Sequence, residues 1–560
     1  MKLIKKNSIP LFSIIFFLFF SFIDISIEST ISATILIFVT LFLVTNRSSY
    51  EFEFTNIFGF KKFTYVLIIL FTTILLQNHY LNFETIDFDI AAYLVTSQDI
   101  GNNNLPNEAQ WESKGPLLAY FYYFISIFSG KNLVLFKLIN DLLVFLIALS
   151  IFLISDTKEK PLYIYSIVGS IFFILLMSQP WGVVEYSELY SLLFISYAFL
   201  IHKKNMKTKK KTFFIGFLLG LSTLINQGTV FFIFPYILNY FFEKNEFRNK
   251  TTNLLIGASI PHIFFLLIYF FNGLIDIYLT TYLQIPLGYI KSNSVSLYEL
   301  RVFLRSFYNH IEPLFFSIIV LVSATFFKVI KNFKILKNIE YLNLIFSFIF
   351  YYFGSNNYYH HLFFSIYFLT FLFTQLDSKK IMLLFVSFVI IGSLQFIQKY
   401  GQDSLNNLNN INNINQNYPI KNLSEEIDSY FDKDYTVLAL DRTLVLFYLD
   451  KQNYTYIVHP TNHFEEYIVD TLQSVGMIKK DYLSHILLYE NPDVILCNQT
   501  YGEGIKHSLY NCAVSEYRKE YIQLDTDKYR YDANLDYFFG PYREVNVFLN
   551  SKTIKKSMNK

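Results

Sequence analysis

The chain has 560 residues, 53% of them hydrophobic and 20% aromatic, with 64 Phe and 44 Tyr, against only 16% charged. A soluble protein cannot hide that much apolar surface but a bilayer solvates it, so disorder, a collagen-like fibre and a nucleic-acid-binding module are excluded. The net charge of +2 gives no field to attract a polyanion, and two cysteines exclude a disulfide scaffold or a multi-Cys metal site. A polytopic α-helical membrane protein is expected.

Thirteen apolar runs follow one another in chain order: 9–26, 30–46, 63–80, 132–154, 162–179, 186–201, 213–226, 229–242, 252–272, 312–329, 339–354, 361–376 and 381–397. Several fall short of the roughly 20 residues of an ordinary spanning helix. The pair at 213–242 is divided only by Gln227-Gly228 and could be one kinked or re-entrant hairpin. Positive charge sets the orientation. With Met1 in the cytoplasm, the inside loops collect Lys203 to Lys211, Lys328 to Lys337 and the other basic clusters. The outside loops before residue 398 hold only Lys114, Lys131, Lys291, Arg301 and Arg305. Loops 81–131 and 273–311 and the C-terminal region then face outward. The first run lacks a small-residue cleavage site and another run follows closely, so it reads as a span rather than a signal peptide.

The spans close a membrane domain at about residue 400. Residues 401–417 are Asn-rich and read as a linker, and 418–560 read as a small extracytoplasmic α/β domain with a disordered tail. Strand-like runs at Thr436–Leu440 and Asp493–Cys497 alternate there with helical patterns at Asn422–Phe431 and Glu465–Ser474. Cys497 and Cys512 could pair in an oxidising compartment, or stay as two buried thiols. No internal repeat is evident.

Polar chemistry concentrates in the first large outer loop. It opens Glu84-Thr85-Ile86-Asp87-Phe88-Asp89-Ile90-Ala91-Ala92-Tyr93 and continues Trp111-Glu112-Ser113-Lys114-Gly115-Pro116-Leu117-Leu118-Ala119-Tyr120. Asp87, Asp89, Asp99, Glu108 and Glu112 stand there against the single base Lys114 before Lys131. Asp87 and Asp89 sit where a membrane cavity would open.

At these residues the chain resembles the GT-C superfamily of membrane glycosyltransferases, and within it the branch of protein O-mannosyltransferases and the lipid A aminoarabinose transferase. Asp89-Ile90-Ala91-Ala92-Tyr93 is similar to the family's Asp-Glu-x-x-Tyr signature, with Ile90 in place of the acid. Lys114-Gly115-Pro116-Leu117-Leu118-Ala119-Tyr120 resembles its Lys-Pro-Pro-Leu-x-Tyr signature, with Gly115 in place of the first proline. The likeness runs over residues 60–400 as a pattern of spans and loops. Glu185 and Glu188 precede an apolar helix on one face, and His360-His361 precede a late one, as in the family. Gly216 and Gly220 resemble a Gly-rich helix that ends in Thr-Lys in many relatives. Here it ends Ile225-Asn226-Gln227, so no phosphate-binding lysine carries over.

The resemblance implies an inverting transfer of a sugar from a polyprenyl-phosphate donor to an acceptor hydroxyl. Asp89 or Asp87 would take the acceptor's proton. Lys114 would hold the donor phosphate, with Arg301 and Arg305, i,i+4 on a probable surface helix, as further cations. Tyr93, Glu188, His360 and His361 complete the candidate substrate-binding set, although the two histidines read equally well as interfacial aromatics. No cofactor follows from the residues: a Mg²⁺ or Mn²⁺ on Asp87 and Asp89 is a weak signal, and no zinc-type spacing occurs. The expected setting is a bacterial inner membrane, with a cell-surface glycan or lipopolysaccharide as acceptor. A flippase for lipid-linked glycans and a polysaccharide polymerase or ligase are the competing classes. A flippase would carry more mid-span charge than Asp24, Lys137 and Asp141.

Overall fold

A computed structural model describes residues 62–84, 87–155, 163–204, 208–244, 246–292, 297–354, 358–375, 379–432, 434–498, 520–526, 529 and 545–555. The first two apolar runs, Cys512 and the end of the tail lie outside these residues. Cys497 takes part in a disulfide, and Cys512 is the chain's one other cysteine.

Each described apolar run is helical. In chain order they form α1 Lys62–Gln77, the outer-loop helices α2 Phe88–Gly101 and α3 Pro116–Ser129, α4 Leu133–Ser155, α5 Tyr163–Met177, α6 Ser187–Lys203, α7 Thr208–Thr223, α8 Ile233–Glu243 and α9 Phe247–Phe271. After these come α10 Ile285–Ser292, α11 Leu297–Ile311, α12 Phe315–Lys331, α13 Ile339–Gly354, α14 Phe363–Phe373 and α15 Lys379–Phe396. The uncertain pair at 213–242 resolves into α7 and α8, separated by a 3₁₀ turn over Gln227–Phe232. Four helices among the described residues are long and apolar enough to cross a membrane, or five if α11 and α12, bent by 115°, count as one span.

The side chains sort as they would in lipid. Along α9, Leu255, Ile256, Ile260, Ile263, Phe264 and Phe271 point outward and exposed, while Gly257, Ala258 and Pro261 are buried. An apolar outer face is stable only in an apolar solvent. The inner face packs on α7 at backbone contact. A Cβ on Gly216, Gly220 or Gly257 would lie 2.0–2.3 Å from the carbonyl oxygen of Leu254, Ala258 or Phe213, respectively 2.0, 2.3 and 2.1 Å. Those glycines let two helices meet, as small residues do between membrane helices.

The Asn-rich segment departs from a simple linker. It continues α15 through a π-helical turn into α16 Gln402–Asn409 and then α17 Ile411–Gln416. Asn407 Nδ2 donates to the carbonyls of Asn78 (3.0 Å) and His79 (2.9 Å), which ties the segment to the C-terminal end of α1. The chain then enters α18 Pro419–Tyr430 and a four-stranded sheet of β1 Val437–Ala439, β2 Val494–Asn498, β3 Tyr521–Leu524 and β4 Val545–Asn550, in the order β1-β2-β4-β3. β1 and β2 are parallel, so the chain between them crosses over through α19 Leu444–Leu449, α20 Glu466–Ser474 and α21 Tyr482–Tyr489. The other two pairings are antiparallel.

This C-terminal region is fastened to the outer loop at several points. Glu84, itself buried, accepts the N–H groups of Ile420 (2.6 Å) and Lys421 (2.8 Å) at the start of α18. A carboxylate there satisfies two orphan donors and meets the positive end of the helix dipole. A parallel bridge joins Trp111 to Ile457, through Trp111 N–H to the Tyr456 carbonyl (2.6 Å) and Val458 N–H to the Trp111 carbonyl (3.2 Å). Beside it, Gln110 Nε2 donates to the carbonyls of Asn453 (3.2 Å) and Thr455 (3.1 Å), while its Oε1 accepts Asn453 N–H at 2.7 Å. Segment 453–459 is thus built onto the loop that carries Lys114.

Candidate active site

The fastened loop and the helix ends enclose a cavity of about 560 Å³. One wall carries Asp87, Asp89, Glu112 and Lys114 from the outer loop, His360 and His361 from the turn before α14, and His459 from the C-terminal region. Apolar side chains, among them Phe231, Ile290, Phe350 and Phe353, line the rest of it. Phe353 in that lining is 42% exposed.

Asp87 is the N-cap of α2: its Oδ1 accepts Asp89 N–H at 3.0 Å, the role a short acid plays at a helix start. Tyr186 donates its hydroxyl to the other oxygen, Oδ2. Burial, and then the neighbouring Asp89 charge, push the Asp87 carboxyl up to about 7. In the first turn of α2, Asp89 Oδ2 accepts the Tyr93 hydroxyl at 3.1 Å, and Oδ1 lies 2.8 Å from His459 Nε2. Burial would raise this carboxyl. The His459 hydrogen bond and charge, with Lys114 and His360, outweigh it and hold Asp89 well below the usual carboxylate range. Two acids two residues apart are thereby split in acidity.

Gly115 explains how Lys114 enters the cavity. A Cβ there would lie 2.0 Å from the Leu224 carbonyl oxygen, and Gly115 N–H donates to Ile225 O at 3.1 Å. The Lys-Gly-Pro turn therefore rests on the end of α7, and Pro116 then starts α3 at a position where a missing N–H costs nothing. Burial disfavours the Lys114 charge, but Glu188, Asp89 and Glu112 outweigh it and keep the ammonium charged. Glu112 is itself pushed up, mainly by burial. Where relatives carry Thr-Lys at the end of α7, Asn226 Nδ2 donates to Glu188 Oε1 at 2.7 Å, and Gln227 Nε2 donates to the Ser113 carbonyl at 3.0 Å.

Among the expected residues, Asp87, Asp89, Lys114, His360 and His361 line the cavity. Tyr93 and Glu188 stand directly behind it as partners of Asp89 and Asn226. His360 and His361 are buried, and the His360 ring stacks on Tyr186 at 4.0 Å, so they belong to the cavity wall rather than to an interfacial belt. Arg301 and Arg305 do not line the cavity. Their helix α11 is strongly two-faced, and i,i+4 spacing fixes a shared face without fixing its direction.

His459 was not legible as a site residue, and neither was the role of Glu112. Two three-residue sets with donor atoms within 4.8 Å of one another also form, Glu188–His360–His361 and Asp87–Asp89–His459. Sequence spacing offered only the weak Asp87–Asp89 signal, because the third ligand of each set comes from a separate element. Ligands about 2.0–2.1 Å from a shared tetrahedral ion stand roughly 3.3 Å apart. The 3.4 Å between His361 Nε2 and Glu188 Oε1 suits that arrangement, so the first set could hold a metal. The 2.8 Å between His459 and Asp89 is a hydrogen-bond distance.

No protein-family model matches the chain, and no curated protein matches it. Solved structures do. ArnT from Cupriavidus metallidurans in the apo state superposes with a TM-score of 0.51 over 78% of this chain and 92% of its own. The same protein bound to undecaprenyl phosphate superposes at 0.56 over 87% of this chain and 97% of its own. The fold is GT-C-like. Sequence identity is 10% in both cases, so the likeness is one of fold. Together with the long apolar helices, the likeness describes a multi-pass membrane protein of that fold.

Proposed function

We propose that the protein is a membrane glycosyltransferase that moves a sugar from a polyprenyl-phosphate donor to an acceptor hydroxyl. The observation that carries this reading is the cavity itself. A half-buried ammonium, Lys114, and an ionised carboxylate, Asp89, face the same space, which apolar side chains such as Phe350 and Phe353 also line. A polyprenyl phosphate needs both features, a greasy entry and a charge-assisted phosphate contact. A protein of the same fold has been solved with undecaprenyl phosphate bound.

In this reaction the acceptor oxygen attacks the anomeric carbon, the bond from that carbon to the phosphate oxygen breaks, and polyprenyl phosphate leaves. Lys114 stabilises the charge that grows on the phosphate. Asp89 takes the acceptor's proton as the new bond forms, since a neutral hydroxyl is a poor nucleophile. Direct displacement inverts the anomeric centre. A second assignment, with Asp87 as the base, is favoured by one observation: its carboxyl is poised at about 7, where general-base efficiency near neutral pH is best.

The charged cavity residues Asp87, Asp89, Glu112, Lys114 and Glu465 come from segments that the positive-charge bias puts outside, which supports action on the outer face of the plasma membrane, with the C-terminal region as an extracytoplasmic α/β domain above the site. A hexose or pentose donor and a cell-surface glycan or lipopolysaccharide acceptor fit that location. The test is product analysis. Purified chain, a labelled polyprenyl-phosphate monosaccharide and an envelope glycan fraction should yield free polyprenyl phosphate and glycan carrying the label in inverted configuration. Retained configuration would exclude direct displacement, and no cleavage across a panel of donors would remove the enzyme reading.

A further inference from the structure

We infer that His459, supplied by the C-terminal region, is a positioning residue for Asp89, so that the catalytic centre is shared between the helical body and the region beyond it. This rests on the glycosyltransferase reading above. The histidine is buried, with Nδ1 hydrogen-bonded and Nε2 in ion-pair contact with Asp89. Nδ1 faces the backbone N–H of Thr461 (3.2 Å) and its Oγ1 (2.9 Å), and His459 thereby caps the 3₁₀ turn Pro460–His463 that follows it. With Nδ1 accepting that N–H, the ring proton is assigned to Nε2. Nε2 lies 2.8 Å from Asp89 Oδ1. When the ring is protonated, the Thr461 hydroxyl can accept from Nδ1–H and the contact to Asp89 survives.

The arrangement leaves His459 no free nitrogen to act as a base. Its turn fixes the ring, and the ring fixes one carboxylate oxygen. The Tyr93 hydroxyl holds the other at 3.1 Å, so the plane of the Asp89 carboxylate is set from both sides. Each oxygen keeps a lone pair for the acceptor's proton. The segment that delivers His459 is itself tied down two residues upstream by the Trp111–Ile457 bridge and by the Gln110–Asn453 pair. A displacement of about 1 Å at a reacting group can cost on the order of 10²-fold in rate. Phe88 packs edge-on against the imidazole, with ring centroids 6.4 Å apart, and closes the remaining side.

Two substitutions separate the positioning role from a structural one. His459→Asn keeps an oxygen that can cap the turn, as Asn does at helix starts, but its shorter side chain cannot reach Asp89. His459→Gln keeps a nitrogen donor of about the reach of Nε2 and gives up the cap. Full-length variants are assayed in nanodiscs with the lipid-linked sugar that the wild-type chain turns over. His459→Asn should lose about 10–100-fold in kcat with the donor KM changed less than about threefold, while His459→Gln should stay within about tenfold of wild type. In an Asp89→Asn background, His459→Asn should cost nothing further, because the two act as a unit. The opposite ranking, or equal losses in both variants, would overturn the inference and leave a capping role. Wild-type turnover by His459→Asn would overturn it as well. Absence of turnover by the wild-type chain would instead remove the glycosyltransferase reading, and this inference with it.

Discussion

Two histidine–carboxylate pairs border one cavity, one within the helical body and one at its junction with the C-terminal region, and they are built differently. Within the body, Glu188 and His361 are both almost fully buried and 3.4 Å apart, with Asn226 on the same carboxylate oxygen. At the junction, Asp89 and His459 are 2.8 Å apart, and Asp89 keeps 25% of its side chain open to the cavity. A buried, multiply held carboxylate suits a fixed scaffold or an ion. A half-open one, with a single strong partner on each oxygen, suits proton transfer. On the proposed function, that difference favours the seam between regions, where the loop and segment 453–459 meet, as the place of proton transfer.

The largest expected effect breaks the junction pair. Asp89→Asn keeps size and shape but cannot take a proton, so transfer should fall about 10²–10⁴-fold while expression and membrane insertion stay normal. Asp87→Asn should cost less; if it costs more, the proton acceptor is the helix cap rather than Asp89. Initial rates on purified variants decide the ranking.

Lys114→Ala comes next. Losing a charged partner of the donor phosphate is worth about 1.5–3 kcal/mol, which should raise the donor KM roughly 10–100-fold, more than it lowers kcat. A change confined to kcat would place Lys114 on the transition state alone.

A smaller effect concerns pH and the seam. His459 is raised from 6.5 to about 8 against the pull of burial, chiefly by its hydrogen bond to Asp89. A raised histidine contributes stability that is whole below about 6.5 and lost as pH climbs through about 8. Asp87, raised to about 7, adds in the same direction, because its ionisation beside Asp89 disfavours the folded seam. The depressed Asp89 acts only at the acid end, losing its contribution as pH falls below about 4. Between pH 6 and pH 9 the seam should weaken by about 2 kcal/mol from His459 alone. Hydrogen exchange at the Trp111 and Val458 amides, corrected for intrinsic rates, should show less protection at pH 9. Unchanged protection would mean that the seam holds without this ion pair.

The smallest effect is a near-silence. Arg301→Ala and Arg305→Ala should leave donor KM within about twofold, since neither residue lines the cavity. A larger loss would bring α11 into the donor site and weaken the contrast between body and junction.

Local signals were legible where one stretch of chain carries both the element and the chemistry. Asp87, Asp89 and Lys114 sit in short motifs, and the apolar runs from Lys62 to Phe396 are helices. The strand-like runs around Val437 and Val494 became β1 and β2, and Glu466–Ser474 is a helix one residue shorter than its pattern. What stayed hidden depends on tertiary contact. His459 follows no motif and reaches Asp89 only because Trp111 and Ile457 pair across distant parts of the chain. The Asn-rich segment hides its helices behind poor intrinsic propensity, and the contacts of Asn407 with the end of α1 supply what propensity does not. Arg301 and Arg305 show the converse, a regular local pattern whose direction only packing decides.

The central claim is that this cavity cleaves a lipid-linked sugar rather than carrying it across the bilayer. Purified wild-type chain in proteoliposomes, supplied with a polyprenyl-phosphate monosaccharide labelled in the sugar and with an envelope glycan fraction, tests that most directly. The account predicts that label leaves the lipid, appears on the glycan and stays on the lipid when Asp89→Asn replaces the wild type. Intact labelled lipid moving between leaflets at the same rate in both proteins, with none of it cleaved, would contradict it.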